Sequence, residues 1–376
     1  MTKNSKINGL FFALVVWDYY FAREQSLVIS LCKNNIKFTY VEPVEYSGKN
    51  KSLRIKRVSK NLIPKDIDVV SKKINLNQGL LLLFLENLRN LYILIKIKPD
   101  FVVVDNYFNT VLVCLYCYFK KVTFIFDLID DWELVEKKPT HKFFWKYISK
   151  PIFVKYSSAI TTTSTKQYLL FKKIKKSVFY MPNGKLINNK NKKNTLKSEE
   201  IKQINFIGTL RDWFDFDLLF EVMKEFPNIK LDIYGDGNLK DYLIKKSLSI
   251  KNIFIHESVN SNTASRLIAK SDIGIIPLKK IPLNDTTNPV KLYDYWSEKK
   301  AVIATPTFEL KKIANGSIIF ASTKQDYINA IKKLQNSPNF KNYLGNKGFD
   351  KVKNKFNYEK IGKKYADIIR KIIQQP

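Results

Sequence analysis

The stretch INFIGTL (204–210) decides the fold, because it restarts an alternation of strands and helices that a polar segment interrupts. Its β-branched and aromatic residues predict a buried strand, and Gly208 predicts a turn at the end of that strand. The residues that follow, FDLLFEVMKEF (216–226), have the apolar spacing of a helix. A strand, a glycine turn and a helix in this order predict the start of a parallel, doubly wound sheet.

The alternation continues from this stretch toward the C-terminus. Further strands are predicted in the segments IKLDIYGDG (229–237), NIFIHESV (252–259), IGIIPL (273–278) and AVIATP (301–306). Closing amphipathic helices are predicted in DYINAIKKLQ (326–335) and NYEKIGKKYADIIRKIIQQ (357–375). We therefore assign residues 203–350 to a second domain and residues 351–376 to a C-terminal helix.

An earlier alternation of the same kind occupies residues 1–184, which we assign to a first domain. Its strands are predicted in the segments 9–17, 38–43, 99–107, 121–132, 158–164 and 177–184. Residues 185–202 are rich in lysine and asparagine and have no apolar period, so they are predicted to be the interdomain linker. The expected fold is α/β, with two doubly wound domains and a ligand cleft between them.

The composition indicates a folded, strongly basic protein. Hydrophobic residues make up 45% of the 376 residues, and 65 Lys and Arg against 34 Asp and Glu give a net charge of +31. Such a charge favours anionic partners, namely nucleic acid, acidic lipid or phosphorylated substrates. Alternatively, abundant lysine with asparagine and isoleucine reflects an AT-rich genome and serves solubility alone.

Cysteine usage and hydropathy predict the compartment. Three cysteines cannot form a disulfide framework, which suggests a reducing compartment, and Cys114 and Cys117 lie in an uncharged run typical of a buried helix. No signal peptide is expected, and the apolar stretch 80–95 is a poor membrane span because it contains Glu86 and Arg89. We expect a cytoplasmic protein, peripheral on the inner face of the cytoplasmic membrane.

The segment NPVKLYDYWSEKKAVIAT (288–305) predicts a helix whose first turn binds an anion. Asn288 is a suitable N-cap, and Pro289 suits the first turn. The free N–H groups and the helix dipole favour phosphate there, and Lys291 adds a full charge. Asp294 lies one turn further on the same face, where its carboxylate suits sugar hydroxyls. The alternative is a simple i,i+3 ion pair between Lys291 and Asp294.

This segment resembles the P-x-K-x-x-E-Y-x-x-x-G-K-P-V-V signature of GT-B glycosyltransferases of the family 4 type. It is most similar to the bacterial branch that builds surface polysaccharides, teichuronic-acid transferases among them. The resemblance extends over nearly the whole chain through the segments INFIGTL (204–210), LDIYGDG (231–237), SVFYMPNG (177–184), SDIGIIPL (271–278) and VVWDYYFAREQSLVISLCKNNIKFTYVEP (15–43). It implies the GT-B fold, in which two Rossmann-like domains face each other across a cleft, and the C-terminal helix is expected to pack on the first domain.

The resemblance also implies which residues bind the donor in the second domain. Lys291 would bind the diphosphate and stabilise its departure, which makes it a catalytic residue, and Asp294 would replace the glutamate that usually holds the ribose. An earlier glutamate of the signature is Thr286 here. The donor-binding residues are predicted to be Gly208, Thr209, Gly235, Gly237, Thr287, Asn288, Lys291 and Asp294.

The segment DLIDDW (127–132) places three carboxylates at the end of a predicted strand of the first domain. Such a cluster could bind a hard cation. The resemblance instead implies that Asp127 occupies a position where many relatives carry a histidine facing the reacting sugar, which predicts a catalytic role. Asp130 is predicted either to bind the acceptor or to cap the next helix. No metal and no cofactor are expected.

The loop after the first strand is predicted to face the acceptor. Its candidate residues are Asp18, Arg23 and Gln25, and the alternative is a solvated loop with a helix cap. A second surface is predicted in HKFFWKYISKPIFVKYSS (141–158), where lysines and aromatic residues alternate. This pattern favours docking on an anionic membrane, and the alternative is a core-facing aromatic helix with a solvated basic face.

Together, these features predict a retaining, metal-independent hexosyltransferase of cell-surface polysaccharide biosynthesis, such as capsule or lipopolysaccharide. It would transfer a sugar from a nucleoside-diphosphate sugar, with UDP favoured, to a glycan or lipid-linked acceptor. The net charge of +31 leaves a nucleic-acid-binding protein as an alternative, although no zinc spacing or RNP-like motif is present. A sugar-nucleotide epimerase and a non-catalytic sugar-binding relative are further alternatives.

Overall fold

The computed structural model describes residues 6–17, 22–43, 45–46, 65–71, 73–74, 80–187 and 200–374. The chain divides into two compact units. The first comprises Met1–Pro182 together with Tyr358–Pro376, and the second comprises Asn183–Asn357. Among the described residues, the first unit contains a seven-stranded and a two-stranded sheet, and the second contains a six-stranded sheet.

All pairs of neighbouring strands are parallel. The strands of the first unit are β1 (Ile7–Phe12), β2 (Ile36–Val41), β3 (Glu45–Tyr46), β4 (Ile67–Val70), β5 (Lys73–Ile74), β6 (Phe101–Val104), β7 (Thr123–Leu128), β8 (Ala159–Thr162) and β9 (Val178–Tyr180). Those of the second unit are β10 (Gln203–Ile207), β11 (Lys230–Tyr234), β12 (Ile253–His256), β13 (Ile273–Ile276), β14 (Ala301–Ala304) and β15 (Ile318–Phe320).

Helices connect the strands in both units. The first unit contains α1 (Arg23–Cys32), α2 (Leu80–Ile97), α3 (Val111–Phe119), α4 (Trp132–Val135), α5 (Pro139–Phe144), α6 (Lys150–Tyr156) and α7 (Thr165–Lys172), with a π-helical turn (Trp145–Ser149) between α5 and α6. The second unit contains α8 (Phe216–Met223), α9 (Lys240–Ser247), α10 (Ser261–Lys270), α11 (Pro282–Thr286), α12 (Val290–Ser297), α13 (Phe308–Ala314), α14 (Lys324–Asn336) and α15 (Pro338–Asn354). The last helix, α16 (Tyr358–Ile373), belongs to the first unit.

The strand order gives each large sheet one switch point. In the second unit the order is β12-β11-β10-β13-β14-β15, so the chain reverses its direction of winding between β10 and β13. In the first unit the order is β4-β2-β1-β6-β7-β8-β9, and the reversal lies between β1 and β6. Ligands of doubly wound sheets bind outside the carboxyl ends of the strands at this point. The prediction of two doubly wound α/β units is confirmed.

Each unit has its own hydrophobic core. In the second unit, helix α12 buries Leu292, Tyr293 and Trp296 completely, which anchors it on the sheet. In the first unit, Cys114 and Cys117 are fully buried in the core, as predicted, and burial raises the pKa of both thiols. Among the described residues, no helix is both long and apolar enough to cross a membrane.

The start of the C-terminal helix differs from the predicted boundary. The last helix begins at Tyr358 and not at residue 351, because residues 351–354 complete the preceding helix α15. Ser30 on α1 donates a hydrogen bond to the Tyr358 carbonyl, and a Cβ on Gly362 would lie 2.0 Å from Ser30 Oγ, so α16 packs closely on α1. Of the predicted linker, residues 188–199 lie outside the described residues.

Candidate active site

The switch point of the second unit brings Gly208 and Lys291 together. Gly208 follows β10, and Lys291 lies in the first turn of α12, which follows β13 through α11. Gly208 has a φ of +138°, and a Cβ placed on it would lie 1.8 Å from Lys291 Nζ. A side chain at this position would displace the ammonium group, and the positive φ also favours glycine.

Lys291 is poised to attract an anion. Its Nζ donates a hydrogen bond of 2.6 Å to the carbonyl of Ile207 and lies 4.6 and 5.3 Å from the ring centroids of Phe206 and Phe214. Burial lowers the pKa of Lys291 to about 8, although the nearby carboxylate of Asp294 raises it. An ammonium in such surroundings gains most from an incoming phosphate, because the phosphate replaces the solvation that burial removes.

Asp294 pairs with a residue that the sequence analysis did not propose. Its Oδ1 lies 2.5 Å from Nζ of Lys185, and the two side chains are 23% and 29% exposed. The alternative interpretation, an ion pair between Lys291 and Asp294, is wrong, because Lys291 bonds to a carbonyl instead. Lys185 lies 109 residues before Asp294, so no local spacing in the sequence indicates the contact.

The start of α12 differs from the predicted helix cap. The helix begins at Val290, and Pro289, not Asn288, occupies the N-cap position. The Asn288 side chain instead donates from Nδ2 to buried Glu309 (3.0 Å), and its buried Oδ1 has no hydrogen-bond partner among the described residues. A buried carboxylate needs a donor, and this demand takes the Asn288 amide away from the helix end.

The other predicted donor residues have different surroundings. Thr209 is exposed, and the Thr287 hydroxyl donates to the Asn284 carbonyl at 3.3 Å. A Cβ on Gly235 would lie 2.0 Å from the Gly208 carbonyl oxygen, and one on Gly237 would lie 2.4 Å from that of Leu210. The two glycines therefore allow the turns after β10 and β11 to pack backbone to backbone, and their contact with a nucleotide stays a prediction.

In the first unit, Arg23 and Asp127 form a buried bidentate ion pair. Arg23 Nε and Nη2 donate to the two carboxylate oxygens at 2.9 and 3.0 Å, and Thr161 Oγ1 donates to Oδ1 at 2.6 Å. Burial alone lowers the pKa of Arg23, but the Asp127 carboxylate reverses the effect and raises it. Asp127 has no exposed surface, so the geometry supports an indirect role, in which it holds Arg23 in place.

Gln25 has a structural role at the start of α1. Its Oε1 accepts a hydrogen bond from the Ala22 N–H at 3.0 Å, and its Nε2 donates to the carbonyls of Trp17 and Val16. The side chain is fully buried. Its amide therefore ties the helix to the loop after β1, and the contact of Gln25 with an acceptor stays a prediction. Asp18 lies outside the described residues.

The carboxylates after β7 have separate surroundings. Asp131, not Asp130, occupies the N-cap position of α4, so the capping alternative for Asp130 is wrong. Burial, together with the negative charges of Glu24 and Asp131, raises the pKa of Asp130 to about 7. Asp130 is only partly buried in the fold, which keeps a contact with an acceptor as a prediction. Among the described residues, no three metal-binding side chains are arranged to hold an ion.

Two carboxyl groups that no sequence motif indicated lie at the switch point of the first unit. Glu24 and Asp105 are 2% and 0% exposed, and within the part of the chain that the structure describes neither Asp105 carboxylate oxygen has a hydrogen-bond partner of ordinary geometry. Burial raises the pKa of both groups, and Glu24 raises that of Asp105 further, so the pKa of Asp105 lies well above its ordinary value. Asp105 directly follows β6, and this position at a strand end was the signal that could have identified it.

The segment 141–158 contains both buried and exposed aromatic residues, and its docking on a membrane stays a prediction. Trp145 and Phe153 are buried in the core of the first unit, whereas Phe143 and Tyr147 are 59% and 60% exposed. The two exposed rings lie 4.9 Å apart, and Lys146 Nζ lies 5.5 Å from the Tyr147 centroid. The segment therefore presents a small aromatic and basic surface.

Solved structures similar to nearly the whole chain identify the fold. HepE of Anabaena in complex with UDP-glucose has a TM-score of 0.74 at 12% identity, covering 96% of this chain and 99% of that chain. The chain has the GT-B fold. The expectation from the sequence motifs is thus confirmed at the level of the fold, and the family 4 assignment stays a prediction.

Two further solved structures are also similar to nearly the whole chain. A variant of TarM from S. aureus, in complex with fondaparinux, alpha-GlcNAc-glycerol and UDP, has a TM-score of 0.69 at 13% identity, covering 96% of this chain and 99% of that chain. WaaG, a glycosyltransferase involved in lipopolysaccharide biosynthesis, has a TM-score of 0.63 at 13% identity with the same coverage. At these identities the likeness shows the fold alone.

A family comparison adds information on the second unit. Residues 187–351 match the family described as Glycosyl transferases group 1. The match covers most of the second unit, including Gly208, Lys291 and Asp294. The second unit is therefore similar to glycosyl transferases group 1 over these residues. No curated protein sequence matches this chain.

Proposed function

We propose that this protein is a glycosyltransferase that uses a nucleoside-diphosphate sugar as donor. The observation that carries the proposal is the contact of Gly208 with Lys291 at the switch point of the second unit. A half-buried ammonium beside a glycine turn and a helix N-terminus is suited to a diphosphate. The group 1 match over the same residues and the UDP-containing complexes of HepE and TarM support the donor class.

In the proposed reaction, Lys291 stabilises the negative charge that develops on the departing diphosphate. Side-chain cations then neutralise the leaving group, and no metal is required. A diphosphate oxygen takes the acceptor proton on the same face of the sugar, which gives retention. In the first unit, Asp127 positions Arg23, and Arg23 and Asp130 contribute to acceptor binding.

The proposed acceptor is a glycan or a lipid-linked intermediate of a cell-surface polysaccharide. The resemblance of the sequence motifs to that bacterial branch supports this proposal, and WaaG is a structural neighbour with a role of this kind. The donor sugar is a hexose carried by UDP.

Calorimetric titration with UDP, GDP, ADP and CMP tests the donor site. We expect micromolar binding of one nucleotide, and Lys291→Ala should weaken it at least tenfold, which corresponds to about 1.4 kcal/mol. Lys311→Ala, which removes an exposed lysine of α13 in the same unit, serves as the matched control. If none of the four nucleotides binds to the folded protein, the donor site is refuted.

Product analysis separates the alternatives. Hydrolysis or transfer of the donor sugar, with one stereochemical outcome read by NMR, supports a transferase. Interconversion of the donor without an acceptor would indicate an epimerase, and binding without turnover would indicate a sugar-binding relative. Steep salt dependence of sequence-independent DNA binding, without nucleotide binding, would favour the nucleic-acid-binding alternative.

We also propose that the protein acts at the inner face of the cytoplasmic membrane through the exposed part of segment 141–158. Aromatic side chains favour the bilayer interface, and Lys142 and Lys146 are exposed for contact with anionic lipid. Vesicle sedimentation tests this proposal. The double variant Phe143→Ser/Tyr147→Ser should lower binding to anionic vesicles, whereas Tyr343→Ser, which removes a 55% exposed ring of the second unit, should not. Equal binding of all variants would exclude this surface.

A further inference from the structure

The segment that opens the second unit is attached to helix α12 at two positions. Asn183 Nδ2 donates to the Asn288 carbonyl at 2.8 Å, just before the helix, and Lys185 Nζ lies 2.5 Å from Asp294 Oδ1, in its second turn. The backbone of Lys185 is held as well, because its N–H donates to the Phe356 carbonyl at 2.8 Å. The lysine is therefore presented to Asp294 from an anchored main chain.

The contact occupies only one side of the carboxylate. Among the described residues, Asp294 Oδ1 is bonded to Lys185, and no donor is bonded to Oδ2. With 23% of its side chain exposed, Asp294 is accessible to a ligand. The ammonium of Lys185 has three N–H donors, so one bond to Asp294 leaves two.

An ion pair of this exposure contributes little to stability, because solvent screens the charges and both side chains lose freedom. Its main consequence is orientation. An aspartate carboxylate reaches one methylene less far from the helix than a glutamate would, so a sugar hydroxyl is within reach of only a restricted set of its rotamers. A short, charge-assisted bond to Oδ1 selects among these rotamers and directs Oδ2 away from the lysine.

We propose that Lys185 is a positioning residue of the nucleotide site, which holds Asp294 so that Oδ2 accepts a hydrogen bond from the ribose hydroxyls. The inference rests on the proposed function, because it assumes that a nucleotide binds beside Lys291. Recognition of the ribose then depends on both Lys185 and Asp294, which lie far apart in the sequence. The competing role, direct binding of phosphate by Lys185, makes a different prediction.

Three ligands separate the two roles. They are UDP, or whichever nucleoside diphosphate binds best, its 2′,3′-dideoxy analogue and inorganic pyrophosphate. We expect the unmodified protein to bind the nucleotide at least tenfold more tightly than the dideoxy analogue. Lys185→Met should remove most of this preference by weakening binding of the nucleotide about tenfold, and it should change the affinity for the other two ligands less than twofold.

Matched variants control for indirect effects. Lys202→Met breaks an exposed ion pair with Glu200 (2.9 Å) in the same unit and should leave the ribose preference unchanged. Lys185→Arg retains a cation for Asp294 and should restore much of the preference. In the double variant Lys185→Met/Asp294→Asn, binding should be no weaker than with Asp294→Asn alone, because both changes remove the same oriented carboxylate.

The outcomes are distinct. If Lys185→Met weakens the binding of all three ligands equally, Lys185 binds phosphate and the inference is overturned. If Lys185→Met has no effect while the unmodified protein binds the nucleotide and Lys291→Ala weakens it, the inference fails and the proposed function stands. If the folded protein binds no nucleotide, both fail together. Should Lys185→Met not fold, the ribose preference of Lys185→Gln decides the question in the same way.

Discussion

Arg23 and Asp127 form a closed, bidentate ion pair, in which Nε and Nη2 of the guanidinium donate to the two carboxylate oxygens at 2.9 and 3.0 Å. The two side chains are 5% and 0% exposed and lie 104 residues apart in the sequence. The pair joins the first turn of α1 to β7 beside the switch point of the first unit. Asp127, whose catalytic role stays a prediction, thus holds the guanidinium of Arg23 in place.

Removal of the Asp127 charge should destabilise the first unit strongly. Asp127→Asn leaves the Arg23 guanidinium buried without a counter-ion, and we expect a loss of about 3–5 kcal/mol in the free energy of unfolding. Urea denaturation followed by circular dichroism measures the loss. Asp66→Asn is the matched control, because it breaks the exposed Lys6–Asp66 pair (2.6 Å) and should cost no more than about 1 kcal/mol. Equal losses of unfolding free energy in the two variants would show that burial does not strengthen the effect of removing the Asp127 charge.

Gly208→Ala should impair nucleotide binding through its neighbour Lys291. The new Cβ would lie 1.8 Å from Lys291 Nζ, so the ammonium has to move, and the φ of +138° adds backbone strain of about 1 kcal/mol. We expect at least a tenfold loss of nucleotide affinity by calorimetry. Gly316→Ala is the control, since its φ of +74° also strains an alanine but its Cβ would meet only the flexible end of Lys347. Gly316→Ala should lower stability and leave affinity unchanged.

Nucleotide affinity should decrease as the pH rises through about 8. Burial lowers the pKa of Lys291 to about 8, so the free protein loses the attracting charge above this pH. A bound diphosphate favours the ammonium, and binding near pH 8 should therefore be accompanied by proton uptake. Calorimetry in buffers of different ionisation enthalpy measures the uptake. In Lys291→Arg, whose guanidinium stays charged, both the uptake and the decrease should disappear, and their persistence would exclude Lys291 as the titrating group.

The stability of the first unit should fall between pH 4 and pH 7. The pKa of Asp130 is raised from 3.8 to about 7 by burial, so the native state keeps a proton that the unfolded chain releases. The stabilisation from the protonated form is complete below pH 4 and is lost as the pH rises through 7. Glu24 and Asp105 act in the same direction, since their pKa values are also raised. Thermal unfolding across this range should show a smaller decrease for Asp130→Asn, and an unchanged slope would rule out Asp130.

Local patterns were sufficient to predict the element types and several of the neighbours in the site. The placement of Gly208 after a strand and of Lys291 in the first turn of a helix follows from turn chemistry and helical spacing, and both are observed. The assignment of Asn288 as the cap and of Asp130 as a possible cap failed for a different reason. The Asn288 amide donates to buried Glu309 and Pro289 occupies the N-cap position of α12, whereas Asp131 takes the N-cap position of α4 in place of Asp130.

The sequence itself determined the order of strands and helices and placed Lys291 and Asp294 on the same face of α12. It could do so because apolar periodicity and turn residues act over a few neighbouring positions. Only the tertiary structure decided the ion pairs of Asp294 with Lys185 and of Asp127 with Arg23. It also decided the raised pKa values of Glu24 and Asp105. These contacts join residues that are tens to more than a hundred positions apart, and burial, which no local pattern specifies, sets the cost of each unpaired charge.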